Sequence, residues 1–354
     1  MPRIELPISK SIANRLLILQ AIHGDGLMTV SADLPEDVLI LHNALTTLRT
    51  FKTSKTLPTP HINVGNCGTA MRFLTAYCAQ LEGQTTILDG VERMHHRPIG
   101  QLVDALREIG AQIEYLGEEG FPPLRIKGCI LDKHRIVTIN NPQSTQFVSA
   151  LLLIGANVHT DSTSPYITLT REMIKQWGDA AEYTSPLIGR VGGGFIEKDW
   201  SSAAFWYEYV ALHGGEITLP GLCRNSLQGD KVVADIFATL GVQTYYTTNG
   251  VVISSSPLHP TPYTLHHDFV ACPDLYPAVA LTCERLGIQL HATGVESLPL
   301  KESDRLRAVA EHRTDADHRM AMALLIAGYE VDDTACISKS YPCFLDHLRQ
   351  LYEK

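Results

Sequence analysis

LVDALREIGAQIEY (102–115) and VADIFATLGVQTYY (233–246) follow one pattern. Apolar residues fall at helical spacing, Leu102, Leu106 and Ile109 in the first and Val233, Ile236, Phe237 and Leu240 in the second. Gly110 and Gly241 then stand in register, and a strand-like run follows each. MIKQWG (173–178) resembles a third copy cut short. An amphipathic helix leading into a strand, repeated along the chain, predicts α/β units that each pack a sheet against helices. A chain of 354 residues exceeds what one hydrophobic core usually serves, so two domains are expected.

A second kind of segment recurs between these. Six stretches open on small or polar residues, run through an apolar helix of about three turns and mostly reach a glycine. They begin at Ser11, Gly68, Ser144, Trp200, Pro273 and Asp317 and run to Gly24, Gly83, Gly155, Gly214, Gly287 and Gly328. Runs such as LLILQAI, VSALLLIGA and MAMALLIAG are apolar nearly all round, which predicts buried helices. Several helix starts pointing inward would form an anion site, because first-turn N–H groups are unpaired and the helix dipole is positive there.

Composition narrows the function. Hydrophobic residues make up 45% and charged residues 19%, as in a globular protein. The net charge of −9 lacks the basic excess of a nucleic-acid binder, so no nucleic-acid partner is expected, yet a locally positive cleft for an anionic small molecule is allowed. No apolar run approaches the length that spans a bilayer, and the start MPRIELP has no signal-peptide pattern. Eight scattered cysteines without a CxxC pair read as reduced thiols, which points to the cytoplasm.

The polar helix starts carry the chemistry. Lys10 stands at the entrance of the first buried helix, where a cation is unfavourable unless an anion binds, and Ser11 and Arg15 share a helix face. In VGNCGTAMR (64–72) two glycines free the backbone to approach a ligand and Arg72 lies one turn in; this is not the nucleotide P-loop, which needs a terminal Gly-Lys-Ser/Thr. Arg97, then Lys301, Arg305, Arg319 and Lys339, add cations, and Asp274 and Glu302 stand among them as carboxyls able to act as acid or base.

The stretches PISKSIANR, GNCGTAMRFL, RMHHRPIGQLVDAL, QSTQFVSALL, SSAAF, RNSLQGD, KESDRLRA, DHRMAMAL and Lys339 resemble, in order and over residues 7–339, the motif set of the 5-enolpyruvylshikimate-3-phosphate synthase family. The resemblance implies an α/β fold of two similar domains, each a three-fold set of α/β units with buried helices directed at the interdomain cleft. One domain would span 9–197, on the shikimate 3-phosphate side, and the other 1–8 with 198–354. It implies transfer of the enolpyruvyl group of phosphoenolpyruvate to shikimate 3-phosphate by addition and elimination, with no metal and no cofactor. A monomer, bound to no membrane and open to glyphosate-like donor analogues, is expected.

By the same resemblance Lys10, Asp274, Glu302 and His318 are the catalytic residues. Lys10, Ser11, Arg15, Ser144, Thr145, Gln146, Thr163, Tyr166, Asp274, Ser297 and Lys301 would hold shikimate 3-phosphate. Lys10, Asn66, Gly68, Arg72, Arg97, Gln146, Arg305, Arg319 and Lys339 would hold phosphoenolpyruvate. The alternatives are the enolpyruvyl transferase that acts on UDP-N-acetylglucosamine, whose usual loop cysteine is missing near Arg93–Arg97, and a ligand-binding member without catalysis.

The chain departs from the family pattern in places. Ser297 stands where an asparagine is common, and Ser162, Thr163 and Ser164 compete as the phosphate-binding hydroxyl, with Thr163 aligning best. The stretches 178–196 and 311–315 look trimmed. A helix begun at Glu302 heads away from the cleft, and Asp317 must return to it; the few residues between predict a break in 310–316, and an unbroken turn there would mark a genuine shortening.

Overall fold

The computed structural model describes residues 2–24, 26–31, 34–53, 59–178, 196–256 and 264–352, so most of the trimmed stretch 178–196 lies outside the described residues. Residues 11–30 with 37–196 form one compact unit, here the N-terminal unit; residues 1–10, 31–36 and 197–354 form the C-terminal unit.

In chain order the first elements are helices α1 (Lys10–His23) and α2 (Glu36–Thr53), strand β1 (His61–Asn63), α3 (Gly68–Ala79), β2 (Thr85–Asp89), α4 (Glu92–His95) and α5 (Gly100–Glu108). Strands β3 (Gln112–Tyr115), β4 (Leu124–Lys127) and β5 (Ile136–Thr138) follow, then α6 (Thr145–Leu153), β6 (Asn157–His159) and α7 (Pro165–Gly178). The C-terminal unit adds α8 (Trp200–His213), β7 (Glu216–Pro220), α9 (Val233–Thr239), β8 (Val242–Thr247), β9 (Gly250–Ser255), β10 (Thr264–Asp268), α10 (Tyr276–Leu286) and β11 (Gln289–Thr293). Helices α11 (Arg305–Glu311), α12 (His318–Ile326) and α13 (Phe344–Tyr352) complete it.

The two opening stretches fold alike. Each gives an amphipathic helix, α5 or α9, which passes a glycine and enters a strand, β3 or β8. Strands β1-β2-β4-β3 form a four-stranded sheet in which β1 and β2 are parallel and β4 runs antiparallel between β2 and β3. In the C-terminal unit β7-β9-β8 repeats that order, and an Arg3–Thr218 bridge adds the first residues of the chain alongside β7.

The six apolar segments become helices buried on nearly every face. In α3 every residue but Thr69 is buried, and in α12 every residue but Leu325. The glycines that close the six, Gly24, Gly83, Gly155, Gly214, Gly287 and Gly328, all sit at φ between 69° and 80°. That is left-handed backbone, which costs a residue with a Cβ energy and lets the chain reverse after the helix. No described helix is long and apolar enough to cross a membrane, and the eight cysteines form no disulfide.

The expected break at 310–316 is not found. Helix α11 starts at Arg305, capped by Asp304, rather than at Glu302. Its seven residues carry the chain only about 10 Å, so the return is shorter than a helix from 302 would require. His312 closes the helix at φ 52°, Arg313 donates its backbone N–H to the Ala308 carbonyl (2.9 Å) and Asp317 donates to Thr314 (2.9 Å). The His312 ring stacks on Tyr329 at 4.1 Å, and Glu284 bonds both, at 2.8 Å to His312 and 2.6 Å to Tyr329. This is a built turn, and it leads from α11 into α12 with no strand between them. The β10–β11 sheet therefore has two parallel strands among the described residues.

Candidate active site

Two clusters gather the residues singled out in the sequence, one in each unit. In the N-terminal unit the first turn of α3 is the focus. Cys67 caps the helix, its sulfur accepting from the Ala70 N–H at 3.4 Å. A Cβ built on Gly68 would lie 2.2 Å from Arg72 Nη1 and 2.5 Å from Arg97 Nη2. Both guanidinium groups thus rest on the space that a side chain at 68 would fill. Arg72 donates to the Pro98 carbonyl (3.2 Å), and Arg97 donates to the Asn66 carbonyl (3.1 Å). Gln146 reaches the same helix start, its Nε2 donating to Thr69 Oγ1 at 2.8 Å. Two like charges held together on a helix N-terminus make an anion cradle.

Arg15 sits nearby in sequence logic but is enclosed. Its Nε donates to Thr170 Oγ1 (2.7 Å), Nη1 to the Ser11 carbonyl (2.9 Å), and Nη2 to Ser149 Oγ (3.2 Å) and the Tyr166 carbonyl (3.1 Å). Burial lowers its pKa to about 10. Among the described residues no carboxylate pairs with it, so its charge remains uncompensated while its donors fix the backbone at Ser11 and Tyr166. Ser144 caps α6 and accepts from the Gln146 N–H at 3.3 Å. Thr163 is exposed, whereas Ser164 is buried and bonds the start of α7.

In the C-terminal unit Arg305 is the hub. Its Nε donates to Asp317 Oδ2 (2.8 Å), Nη1 to Asp274 Oδ1 (2.7 Å) and Nη2 to Glu302 Oε2 (2.9 Å). Asp274 also meets Arg319 at 2.9 Å and Lys301 at 3.4 Å. Glu302 accepts from Lys339 Nζ at 3.0 Å. Burial alone would raise the Asp274 pKa, but Arg319, Lys301, Arg305 and Lys10 together hold it well below the usual carboxylate range. Lys301 itself is lowered, chiefly by burial. Ser297 opens the 3-10 turn before Lys301, whose successors Glu302 and Ser303 precede α11 instead of forming its first turn.

His318 opens α12 with both ring nitrogens buried and without a hydrogen-bond partner. Burial, then Lys10 and Arg319, push its pKa well down, so the ring is neutral. Donor atoms of Glu302, Asp317 and His318 lie within 4.8 Å of one another. Arg305 and Lys339 already engage those carboxylates, so a dication there would have to displace a guanidinium and an ammonium group.

Sequence reasoning passed over three carboxyls. Asp317 caps α12 and clamps Arg305. Asp199 caps α8, accepting from Ser201 N–H at 2.7 Å, and also accepts from the Lys10 backbone at 3.3 Å. Asp230, in RNSLQGD, accepts from the Ser201 hydroxyl, and burial followed by the Asp274 charge raises its pKa to about 7. An aspartate directly before a buried helix signals a cap, but only contacts show what else it holds.

Comparison with known proteins finds relatives along almost the whole chain. The family described as EPSP synthase (3-phosphoshikimate 1-carboxyvinyltransferase) matches residues 2–313 and 309–348, two pieces that meet at the α11–α12 turn. A 3-phosphoshikimate 1-carboxyvinyltransferase of Bacteroides fragilis is 37% identical over 401 aligned positions, covering 98% of this chain and 94% of its own. That of Cellvibrio japonicus is 32% identical, covering 98% and 96%. A solved EPSP synthase from Acinetobacter baumannii superposes with a TM-score of 0.67 at 20% identity, covering 98% and 95%, which speaks for the fold. Matched along almost its whole length and carrying the motifs in order, the chain belongs to the EPSP synthase family.

Proposed function

We propose that the chain transfers the enolpyruvyl group of phosphoenolpyruvate to a hydroxyl of shikimate 3-phosphate and releases phosphate. The observation that carries this reading is the pair of guanidinium groups seated over Gly68 at the start of α3. Arg72 and Arg97 suit the carboxylate and phosphate of the donor, with Asn66 and Gln146 at the rim. Ser11, Ser144, Thr145, Gln146, Thr163 and Tyr166 are read as the shikimate 3-phosphate side, with the Arg15 charge behind them. Residues 9–197 and 1–8 with 198–354 are taken as the two family halves, in a cytoplasmic monomer.

The C-terminal cluster supplies the proton chemistry. Asp274 takes the proton of the attacking hydroxyl, and Glu302 or Lys10 delivers one to the donor's methylene carbon. The hydroxyl oxygen bonds to the resulting cationic carbon to give a tetrahedral intermediate. Phosphate then leaves with the C–O electron pair, and loss of a methyl proton restores the alkene. Before substrate arrives, Arg319, Lys301 and Arg305 hold Asp274 too acidic to be a strong base. A substrate anion that draws those cations toward itself raises Asp274 as the addition needs it. His318 presents a neutral ring to the same cluster, and no metal or organic cofactor enters the scheme.

Phosphate release from phosphoenolpyruvate should require shikimate 3-phosphate and should survive a chelator. Release from the donor alone, or loss on chelation with recovery on adding a divalent metal, would overturn the scheme.

Two substitutions test the cradle. Arg72→Ala should raise KM for phosphoenolpyruvate about 10–100-fold, the equivalent of one charged hydrogen bond, and KM for shikimate 3-phosphate much less. Gly68→Ala should leave the thermal midpoint near that of the parent, because the clashing atoms are ends of flexible side chains, yet raise the donor KM by displacing both guanidinium groups. Steady-state kinetics on both substrates checks the pair; a larger rise for shikimate 3-phosphate in either variant would show that the anion sites are swapped.

A further inference from the structure

The β10–β11 sheet, like β5–β6, has two parallel strands among the described residues where the other two sheets carry antiparallel strands as well. In β1-β2-β4-β3 and in β7-β9-β8 an antiparallel strand follows the second parallel position. Among the described residues β11 has no such neighbour, because the chain turns from α11 straight into α12. An isolated two-stranded sheet is marginal in water. One face of this pair is packed: Leu265, Leu290 and Ala292 join the core of the C-terminal unit. The other face is open and carries two histidines.

His266 and His291 are direct partners in the parallel register. Both are exposed, and their rings lie 4.8 Å apart and 10° from parallel. They border a cavity of about 440 Å³ that also meets Asp268 and Thr293, the register pair two residues further along the same face. His267 also borders this cavity, but its Nε2 lies 3.3 Å from Cys272 Sγ.

We propose that His266 and His291 form a bis-imidazole site for a late first-row divalent metal ion that clips β10 to β11. Imidazole is the preferred ligand of copper(II), nickel and zinc in this series. Metal–nitrogen bonds of about 2.0–2.1 Å place two ligating nitrogens roughly 2.9 Å apart in a cis arrangement and about 3.4 Å apart in a tetrahedral one. The rings, with centroids 4.8 Å apart, are stacked nearly parallel, so both must rotate about Cβ–Cγ to turn their in-plane lone pairs onto one ion, and their exposure leaves room for that. The backbone pairing has already fixed their separation, so little order is lost on binding. Asp268 lies too far along the strand, by about 7 Å, for the same ion and would hold a metal-bound water. A cross-link between the strands does for this sheet what the antiparallel strands do for β1-β2-β4-β3 and β7-β9-β8.

Nickel(II) titration of the full chain by calorimetry tests the site, with the thermal midpoint followed in parallel. The parent should bind one equivalent, and nickel should raise its midpoint. His266→Ala and His291→Ala should each weaken binding by about 10–100-fold and abolish the midpoint rise. Both side chains are exposed and outside the catalytic cluster, so phosphate release should stay at the parent rate in both variants. No binding to the parent at 100-micromolar-scale nickel (about 0.1 mM), unchanged binding in both variants, or loss in one variant alone would each overturn the paired site. Loss in His318→Ala with both surface variants unaffected would place the ion at the Glu302, Asp317 and His318 cluster and overturn it equally.

Discussion

Asp274→Asn should lower kcat by about 10²–10⁴-fold, the range of a lost general base, while KM for shikimate 3-phosphate moves by less than tenfold. The neighbourhood of Asp274 adds a second signature. In the parent its carboxylate neutralises part of the charge on Arg305, Arg319 and Lys301. Asparagine leaves those cations more available, so KM for phosphoenolpyruvate should fall even as turnover collapses. Loss of a merely structural carboxylate would lower apparent kcat through a smaller folded fraction and leave KM for phosphoenolpyruvate where it was. The variant should also lose stability, since removing one member of a buried ion network costs about 3–5 kcal/mol. Because the folded-state pKa of Asp274 is depressed, its contribution is present above its unfolded value and fades as pH falls through the folded one. Near-parent kcat in a folded Asp274→Asn enzyme would remove this residue from the proton chemistry.

Glu208→Met should stabilise the protein, by about 1–3 kcal/mol at pH 5 and by more at pH 8. Glu208 lies in the middle of α8 with 0% exposure, and neither carboxylate oxygen has a hydrogen-bond partner. Burial raises its pKa well above the ordinary carboxyl value, so the folded protein keeps its proton. The unfolded chain releases that proton from about pH 4.3 upward and binds fewer protons than the folded one. Parent stability therefore falls as pH rises from that value toward the folded pKa, and methionine removes the slope. Urea unfolding of both proteins at the two pH values measures it. An equal difference at both would mean that the carboxyl is either ionised or partnered in the folded state.

Much of the architecture was legible in the sequence because it depends on local rules repeated several times. Buried helices ending at Gly24, Gly83, Gly155, Gly214, Gly287 and Gly328 need only an apolar run and a residue tolerant of left-handed backbone. The α5–β3 and α9–β8 copies were readable for the same reason. The turn from α11 to α12 was not, because its support comes from Glu284 and Tyr329, which meet His312 only after folding. The site divided in the same way. Arg72, Gly68 and Arg97 were readable from the motifs, but their crowding over one helix start was not. Nor could the sequence show that Arg305 is saturated by Asp274 and Asp317 as well as by nearby Glu302, since no spacing rule joins residues 31 and 12 positions apart.

The first residues of the chain also set the order in which it can be finished. Ile4 and Leu6 lie in the core of the C-terminal unit, and Pro2 and Ile4 bond Thr218 on β7 at 2.9 and 3.0 Å. During synthesis this segment must wait for more than 200 further residues to be made before its partner Thr218 exists. The segments 11–30 and 37–196 of the other unit are all out before then. Contacts this distant in sequence are slow to form. Loss of Ile4 and Leu6 would thus open the core of the C-terminal unit, the sheet that is completed late.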